Sequence, residues 1–238
     1  MLTSTKKSFS ALEIQRPLGH LYYEPIWYML HKIRYAMGKR DDNYRLCNEI
    51  ELDEGFFEIV PNKENRDRIA IELKENDGKY KRGKGSQKQA TVLVMAESKT
   101  VEPSLKYKHK PNKKVGYIKM QLLDDLCKET TNEQVERTID KQSSAITDGA
   151  NNYNDLKDNL TNHKTVIAEV KKEASKILPW VHITISNAKR LLLDIHHSIG
   201  NDYLQSYLDE YCYKFNRIQQ KKIKLTLLRI QQKKIKLL

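Results

Sequence analysis

The stretch EIELDEGFFEIV, Glu49 to Val60, alternates polar and apolar residues and is rich in strand formers, so it reads as a half-buried β-strand. Asp53 stands in the middle of it. A carboxylate inside an apolar alternation costs free energy unless it is paired or holds a metal ion. That single residue ties the architecture to a chemical function, and the surrounding sequence is read outward from it.

Downstream lie a polar stretch and the Gly/Lys loop KYKRGKGSQK, then a short apolar strand, TVLVMAES (Thr91 to Ser98). A long basic connection, Lys99 to Lys114, leads to a third strand, VGYIKMQLL (Val115 to Leu123). Asn132 to Gln142 reads as a helix capped by Thr130 or Thr131. SAITDG (Ser144 to Gly149) is a brief strand ending in an Asp-Gly turn, Tyr153 to Leu160 a short helix, and TVIAEV (Thr165 to Val170) a fifth strand. Helical stretches follow over Ile177 to His197 and Tyr203 to Phe215. Three meandering strands followed by alternating units predict an α/β fold: an RNase H-like mixed sheet flanked by helices.

Upstream, a short helical segment precedes the sheet. Phe9, Leu12, Ile14 and Leu18 run up to a break at Gly19, with Ser8 or Ser10 as cap, and a second helix starts at Glu24-Pro25. Two short helices across a glycine turn have the outline of a helix-turn-helix. The expected division is therefore 1–45 helical, 46–216 the sheet-bearing domain, and 217–238 a basic tail in which RIQQKKIKL occurs twice. Trp27, Trp180 and the four-residue repeat Tyr203, Tyr207, Tyr211, Phe215 read as packing residues, and His196 and His197 as a surface helix end.

The net charge is +12 over 238 residues. Eight basic residues and no acid lie between Arg217 and Leu238, and twelve basic residues against two acids lie between Lys79 and Lys119. The remainder is net acidic. A basic belt on a carboxylate-bearing body suits a protein that works on a phosphate backbone, and nominates Lys81, Arg82, Lys84, Lys113 and Lys114 as DNA contacts. A tail-driven membrane-surface or partner-binding protein is a third reading, set below the others. Cys47, Cys127 and Cys212 form no C-x-x-C pair, so neither a zinc ribbon nor a disulfide framework is supported. No apolar run approaches membrane-spanning length and no signal-peptide core stands at the N-terminus, so a cytoplasmic, nucleoid-associated protein is expected.

In an RNase H-like sheet the first and fourth strands are neighbours, which brings Asp53 and Asp148 toward one edge. Two such carboxylates can hold two Mg²⁺ ions about 3.5–4 Å apart for in-line attack on phosphorus, with Mn²⁺ as a substitute. Each aspartate alone also reads as a turn or cap residue.

The motifs ELDEGFFE, KRGKGSQK followed by TVLVMAES, PNKKVGYIKMQ, ITDGANNYNDL, LPWVHITISNAKR and YLQSYLDEYCYKFNR occur in this order. Together they resemble the bacterial insertion-sequence DDE transposases that join a zinc ribbon to an RNase H-like domain, the ISXO2-like group. The resemblance runs from about Lys6 to Arg217 and implies a transposase that cleaves DNA and transfers strands with Mg²⁺, acting as a homo-oligomer on transposon ends and target. It implies Asp53 and Asp148 as the first two catalytic, metal-holding acids. Many members carry a Glu on the helix after the fifth strand. Here WVHITISNAKR has none, which leaves Asn187 as the first candidate for the third catalytic and metal position and His182 as the alternative. Asn offers a carbonyl oxygen without charge, and His prefers softer metals. Lys189 and Arg190 would contact DNA. Against the family pattern the zinc ribbon is missing, so the chain reads as shortened at its N-terminus, and the repeated RIQQKKIKL replaces the family's continuation. Both departures keep a second reading open: a catalytically impaired DNA-binding remnant.

Overall fold

The computed structural model describes residues 5, 7–75, 77–81, 86–102, 112–153, 155–166 and 177–235. Five strands, β1 (Glu49–Glu58), β2 (Gln89–Thr100), β3 (Lys113–Leu123), β4 (Ser144–Thr147) and β5 (Asn162–Thr165), form one sheet in the order β3-β2-β1-β4-β5. β2 is antiparallel to both β1 and β3, while β4 runs parallel to β1 and β5 parallel to β4. This is the mixed, helix-flanked sheet of the RNase H-like fold.

Period-two patterning puts a core on each face. Ile50 and Leu52 of β1 join Leu93 and Met95 of β2, and Val135 and Ile139 from the region of α4 (Lys128–Thr138), on one side. Phe57, Val92, Val94 and Ala96 face the other side. There they meet Val181, Ala188 and Leu192 of a helix over Pro179–Ile195, and Leu204 and Leu208 of a helix over Asn201–Ile235. The run VLVMA is apolar throughout because β2 is buried on both faces.

The N-terminal helices are α1 (Ala11–Leu18) and α2 (Tyr23–Asp41). Ser10 caps α1 in a complete capping box with Glu13, and α1 stops at Gly19. α2 lies along the helix Asn201–Ile235, held by a buried charge cluster. Glu210 accepts from Arg34 Nε at 2.7 Å and from Ser8 Oγ at 2.9 Å, with the Lys214 ammonium at 2.5 Å. Burial pushes the Glu210 pKa up, but Arg34 and Lys214 outweigh it and hold the carboxyl below its ordinary value.

Four element assignments need correction. The polar stretch after β1 contains a helix, α3 (Lys63–Glu75), started by the Asn62 side chain accepting from Asn65 N at 2.9 Å. Its residues are good helix formers, but of its apolar side chains Ile69 is buried while Ile71 is exposed, so no periodic stripe marks it. α4 begins at Lys128 rather than near Asn132. Thr131 does not cap it, because its hydroxyl donates back to Cys127 O at 3.0 Å inside the first turn. The segment expected as a helix over Tyr153 to Leu160 is instead two 3-10 turns, Asn151–Tyr153 and Leu156–Asp158. The fifth strand is the polar Asn162–Thr165, anchored by His163 against Thr147 Oγ1 at 2.9 Å, and residues 167–170 of TVIAEV lie outside the described residues.

Numbered in chain order, Pro179–Ile195 is α5 and Asn201–Ile235 is α6. α6 carries the first copy of the tail repeat and most of the second as continuous helix. Tyr207, Tyr211 and Phe215 pack against the sheet, while Tyr203 meets Trp27 edge-on at 5.1 Å. Half-buried His196 packs on Tyr207 at 4.4 Å rather than sitting at the surface, whereas His197 is exposed. Burial first, then Arg34, lower the pKa of His196 to about 4.

Candidate active site

The alternation of β1 sends Glu51 and Asp53 to the face covered by α5, opposite Ile50 and Leu52. Glu51, only 3% exposed, accepts hydrogen bonds from Trp180 N at 2.7 Å and Val181 N at 3.1 Å. These are early N–H groups of α5, which has Pro179 in its first turn and no side-chain cap from Leu178. A strand carboxylate thus caps the helix, where the helix dipole favours negative charge. Burial nevertheless dominates and raises the Glu51 pKa to about 7, against the lowering by those two backbone donors.

The cap fixes what stands over Asp53, two residues further along the same face. The His182 Nδ1 lies 3.8 Å from Asp53 Oδ2, while Asp53 Oδ1 accepts from Glu54 N at 2.8 Å. A Cβ on Gly55 would come within 2.9 Å of Phe57 Cε2 and 3.3 Å of Ile185 Cγ1, so this glycine permits the close approach of α5 to β1.

The second candidate acid, Asp148, directly follows β4. The parallel pairing matches Glu49 with Ser144 and Glu51 with Ile146. The pairing ends there: Asp53 follows two residues later in β1, and Asp148 comes just after β4 ends at Thr147. Gly149, at φ 87°, turns the chain sharply after Asp148, whose Oδ1 accepts from Ala150 N at 3.1 Å. The following turn is fastened to β1 by Asn152 Nδ2 donating to Glu54 Oε1 at 2.6 Å. Tyr153 beside it is wholly buried, and burial, then Glu54, Asp53 and Asp148, raise its phenol well above the ordinary value. All three carboxylates act on this one hydroxyl.

The third-position candidates part company on α5. His182, in the first turn, is the one beside Asp53. Asn187, five residues or about 7.5 Å further along the axis, accepts from Arg190 Nη2 at 3.1 Å. Among the described residues no group of three His, Cys, Asp or Glu side chains is assembled as a metal centre. Carboxylate oxygens such as those of Asp53 and Asp148 are of the hard donor type that Mg²⁺ takes, whereas an imidazole such as His182 is not.

The basic candidates are scattered. Lys189 Nζ lies over the Phe57 ring at 5.6 Å, and exposed Arg190 is engaged with Asn187. Lys113 is ion-paired with Glu49, and Lys114 is exposed at the start of β3. Lys81 lies 3.7 Å from Glu72. Arg82 and Lys84 fall outside the described residues. Sequence reasoning missed Glu51, Glu54, Asn152 and Tyr153. The signal for Glu51 was present in the spacing Glu51-Leu52-Asp53, which puts both acids on one strand face.

The ISXO2-like transposase domain model matches residues 45–216, well over half of the chain. No curated protein and no solved structure shows a match. DDE transposases generally use divalent metal ions. Among the described residues no helix is long and apolar enough to cross a membrane. With its sheet order and matched span, the chain belongs to the ISXO2-like transposase domain family.

Proposed function

We propose that this chain cleaves DNA and joins strands during transposition of an insertion sequence, with Asp53 and Asp148 as the catalytic acids that hold divalent metal, Mg²⁺ or Mn²⁺. The observation that supports the reading is the parallel pairing of β1 with β4, which sets the strand bearing Asp53 beside the strand that runs into Asp148, with His182 of the capped end of α5 at 3.8 Å from Asp53. When bound, such ions activate the attacking oxygen and stabilise the leaving one. Asp53 and Asp148 hold them, Glu51 keeps α5 seated over Asp53, and the Glu54–Asn152 bond holds the turn that follows Asp148. His182 is favoured as the third group by its position, and Asn187 by its chemistry as an oxygen donor. Lys189, Arg190, Lys114, Lys113, Lys81, Arg82 and Lys84 are offered as phosphate contacts on a homo-oligomer bound to DNA in the nucleoid. In this reading residues 1–45 form a helix-turn-helix-like segment, 46–216 the catalytic domain and 217–238 a basic extension.

A second reading, a DNA-binding remnant with impaired chemistry, is favoured by the imidazole rather than an acid beside Asp53. Metal-dependent nicking of supercoiled plasmid separates the two. Nicking in Mg²⁺ or Mn²⁺, with at least a hundredfold greater loss in either His182→Ala or Asn187→Ala than in the other, supports the enzyme and identifies its third group. DNA binding without nicking in either metal supports the remnant.

A further inference from the structure

The last half of α6 carries an arrangement that the acid pair does not use. Asn216 ties the helix to Ile118 of β3 and to Asp41 at the end of α2. From Arg217 the backbone runs on as helix to Ile235, a further 28 Å or about that. Arg217 to Leu238 holds eight basic residues and no acid, and the last acid before it is Glu210. Glu210 is buried between Arg34 and Lys214. The acids around the root of the run are engaged. Asp41 Oδ2 accepts from Asn216 Nδ2 at 2.8 Å, Asp42 Oδ1 lies 3.6 Å from Arg137 Nη2, and Asp209 Oδ1 accepts from Gln205 Nε2 at 2.7 Å. Seven of the eight basic residues stand at Lys221 or beyond, at least a helical turn past that root.

At the root itself a cleft of about 170 Å³ is lined by Arg40, Asp41, Tyr44, Tyr213, Arg217 and Gln220. Two guanidinium groups share it with two phenols and an amide, and Arg217 Nη1 donates to Tyr213 Oη at 3.2 Å. Its acid, Asp41, is buried and turned to Asn216. The direction of the run follows from its partners. Gln205 meets Leu122 and Asn216 meets Ile118, so α6 runs against β3, which points the same way as β1. The helix therefore leaves the sheet at the end where β1 and β4 begin, whereas Asp148 follows the end of β4.

We infer that α6 from Arg217 onward, with Arg40 at its root, is a second DNA-contact surface, which takes the phosphate backbone of duplex DNA away from the phosphate being cut. The inference rests on the reading of the chain as a DNA-acting transposase. The occupant follows from charge and period. Eight positive charges and no acid complement a duplex that presents one negative charge per about 1.7 Å of axis. Two copies of the run laid together would oppose eight like charges with eight, which works against pairing between chains. A membrane-surface helix needs one apolar face. By spacing, Ile223, Leu227 and Ile230 share one side of the helix, and Leu225, Leu228 and Ile235 the other, so no single apolar face forms. The pairs Lys221-Lys222 and Lys233-Lys234 hold the same place in the two copies of RIQQKKIKL and lie about 18 Å apart along the axis. They set position on the duplex without reading bases.

The test is binding of a labelled 30-base-pair duplex of arbitrary sequence to the full chain, by fluorescence anisotropy across a salt series. Lys221→Gln/Lys222→Gln/Lys233→Gln/Lys234→Gln keeps a good helix former at each position. It is compared with a control of equal charge, Lys63→Gln/Lys74→Gln/Lys141→Gln/Lys164→Gln, which removes four exposed lysines elsewhere. The α6 variant is expected to melt like wild type and to bind roughly tenfold or more weakly at about 100 mM salt. Its slope of log Kd against log salt should fall by about 0.9 for each lysine that takes a phosphate, with a smaller change in the control. Equal changes in the two variants would overturn the inference while leaving the transposase reading intact. So would unchanged duplex affinity in an α6 variant that no longer binds vesicles of anionic phosphatidylglycerol, which would make the run a membrane contact. Failure of the wild type to bind any duplex would remove both the inference and the function it rests on.

Discussion

Glu51 shows how one side chain can set the geometry of a site it does not belong to. It lies two residues before Asp53, and its carboxylate ends α5 on the strand that carries the acid. Replacing it with Ala strands two backbone donors and should cost about 1–3 kcal/mol. Gln keeps an acceptor oxygen and should restore most of that loss. The two variants also differ from wild type in pH dependence. The folded-state pKa of Glu51, about 7, lies above its ordinary 4.5, so folding favours the protonated form. Its stabilising contribution is present below about pH 4.5 and is lost as pH rises through about 7. Thermal melting from pH 4 to 8 should therefore show the stability of Glu51→Gln gaining on wild type across that window and levelling above it. A constant difference at every pH would mean that Glu51 is not a buried acid in the folded protein. Asp53 was legible in the sequence as a costly carboxylate in an apolar alternation. Glu51 sat in the same alternation, but its partner lies 129 positions away and no local pattern names it.

At the scale of elements, the open edge of β3 is closed by side chains of α6. Gln205 accepts from Leu122 N at 2.7 Å and donates to Met120 O at 3.1 Å. Asn216 accepts from Ile118 N at 2.9 Å and donates to Ile118 O at 2.9 Å. An edge strand that would otherwise invite pairing with another chain is satisfied by two amides from one helix. Asn216→Leu and Gln205→Leu should each cost about 1–3 kcal/mol, speed amide hydrogen exchange at Ile118 or Leu122 respectively, and promote aggregation in the double variant. Unchanged exchange at both amides would show that the edge is protected in another way. The strands themselves were readable, since β1, β2 and β3 carry strong alternation or apolar runs. β5 was not, because an edge strand with exposed Asn162, Lys164 and Thr165 has no hydrophobic period. α3 was missed for the same reason, as helix propensity without a buried stripe leaves nothing periodic to detect.

For the whole molecule, the order of strands decides where the chemistry can be. A sheet ordered β3-β2-β1-β4-β5 makes β1 and β4 neighbours although 85 residues separate them in the sequence, and they run parallel, Asp53 lying within β1 and Asp148 directly after β4. The neighbourhood of β1 and β4 could be anticipated from the succession of elements alone. The third position could not, because helix rotation over the sheet chooses between His182 and Asn187, and rotation is set by tertiary contacts such as the Glu51 cap and the close approach at Gly55. The central claim, that the two aspartates work as one metal-holding unit in DNA cleavage, is tested most directly by the plasmid-nicking rate of Asp53→Asn, Asp148→Asn and the double variant in Mg²⁺, with melting temperatures measured alongside. The account predicts a loss of about a thousandfold or more in each single variant, no further loss in the double, and little change in melting temperature. Nicking that survives in either single variant, or losses that multiply in the double, would contradict it.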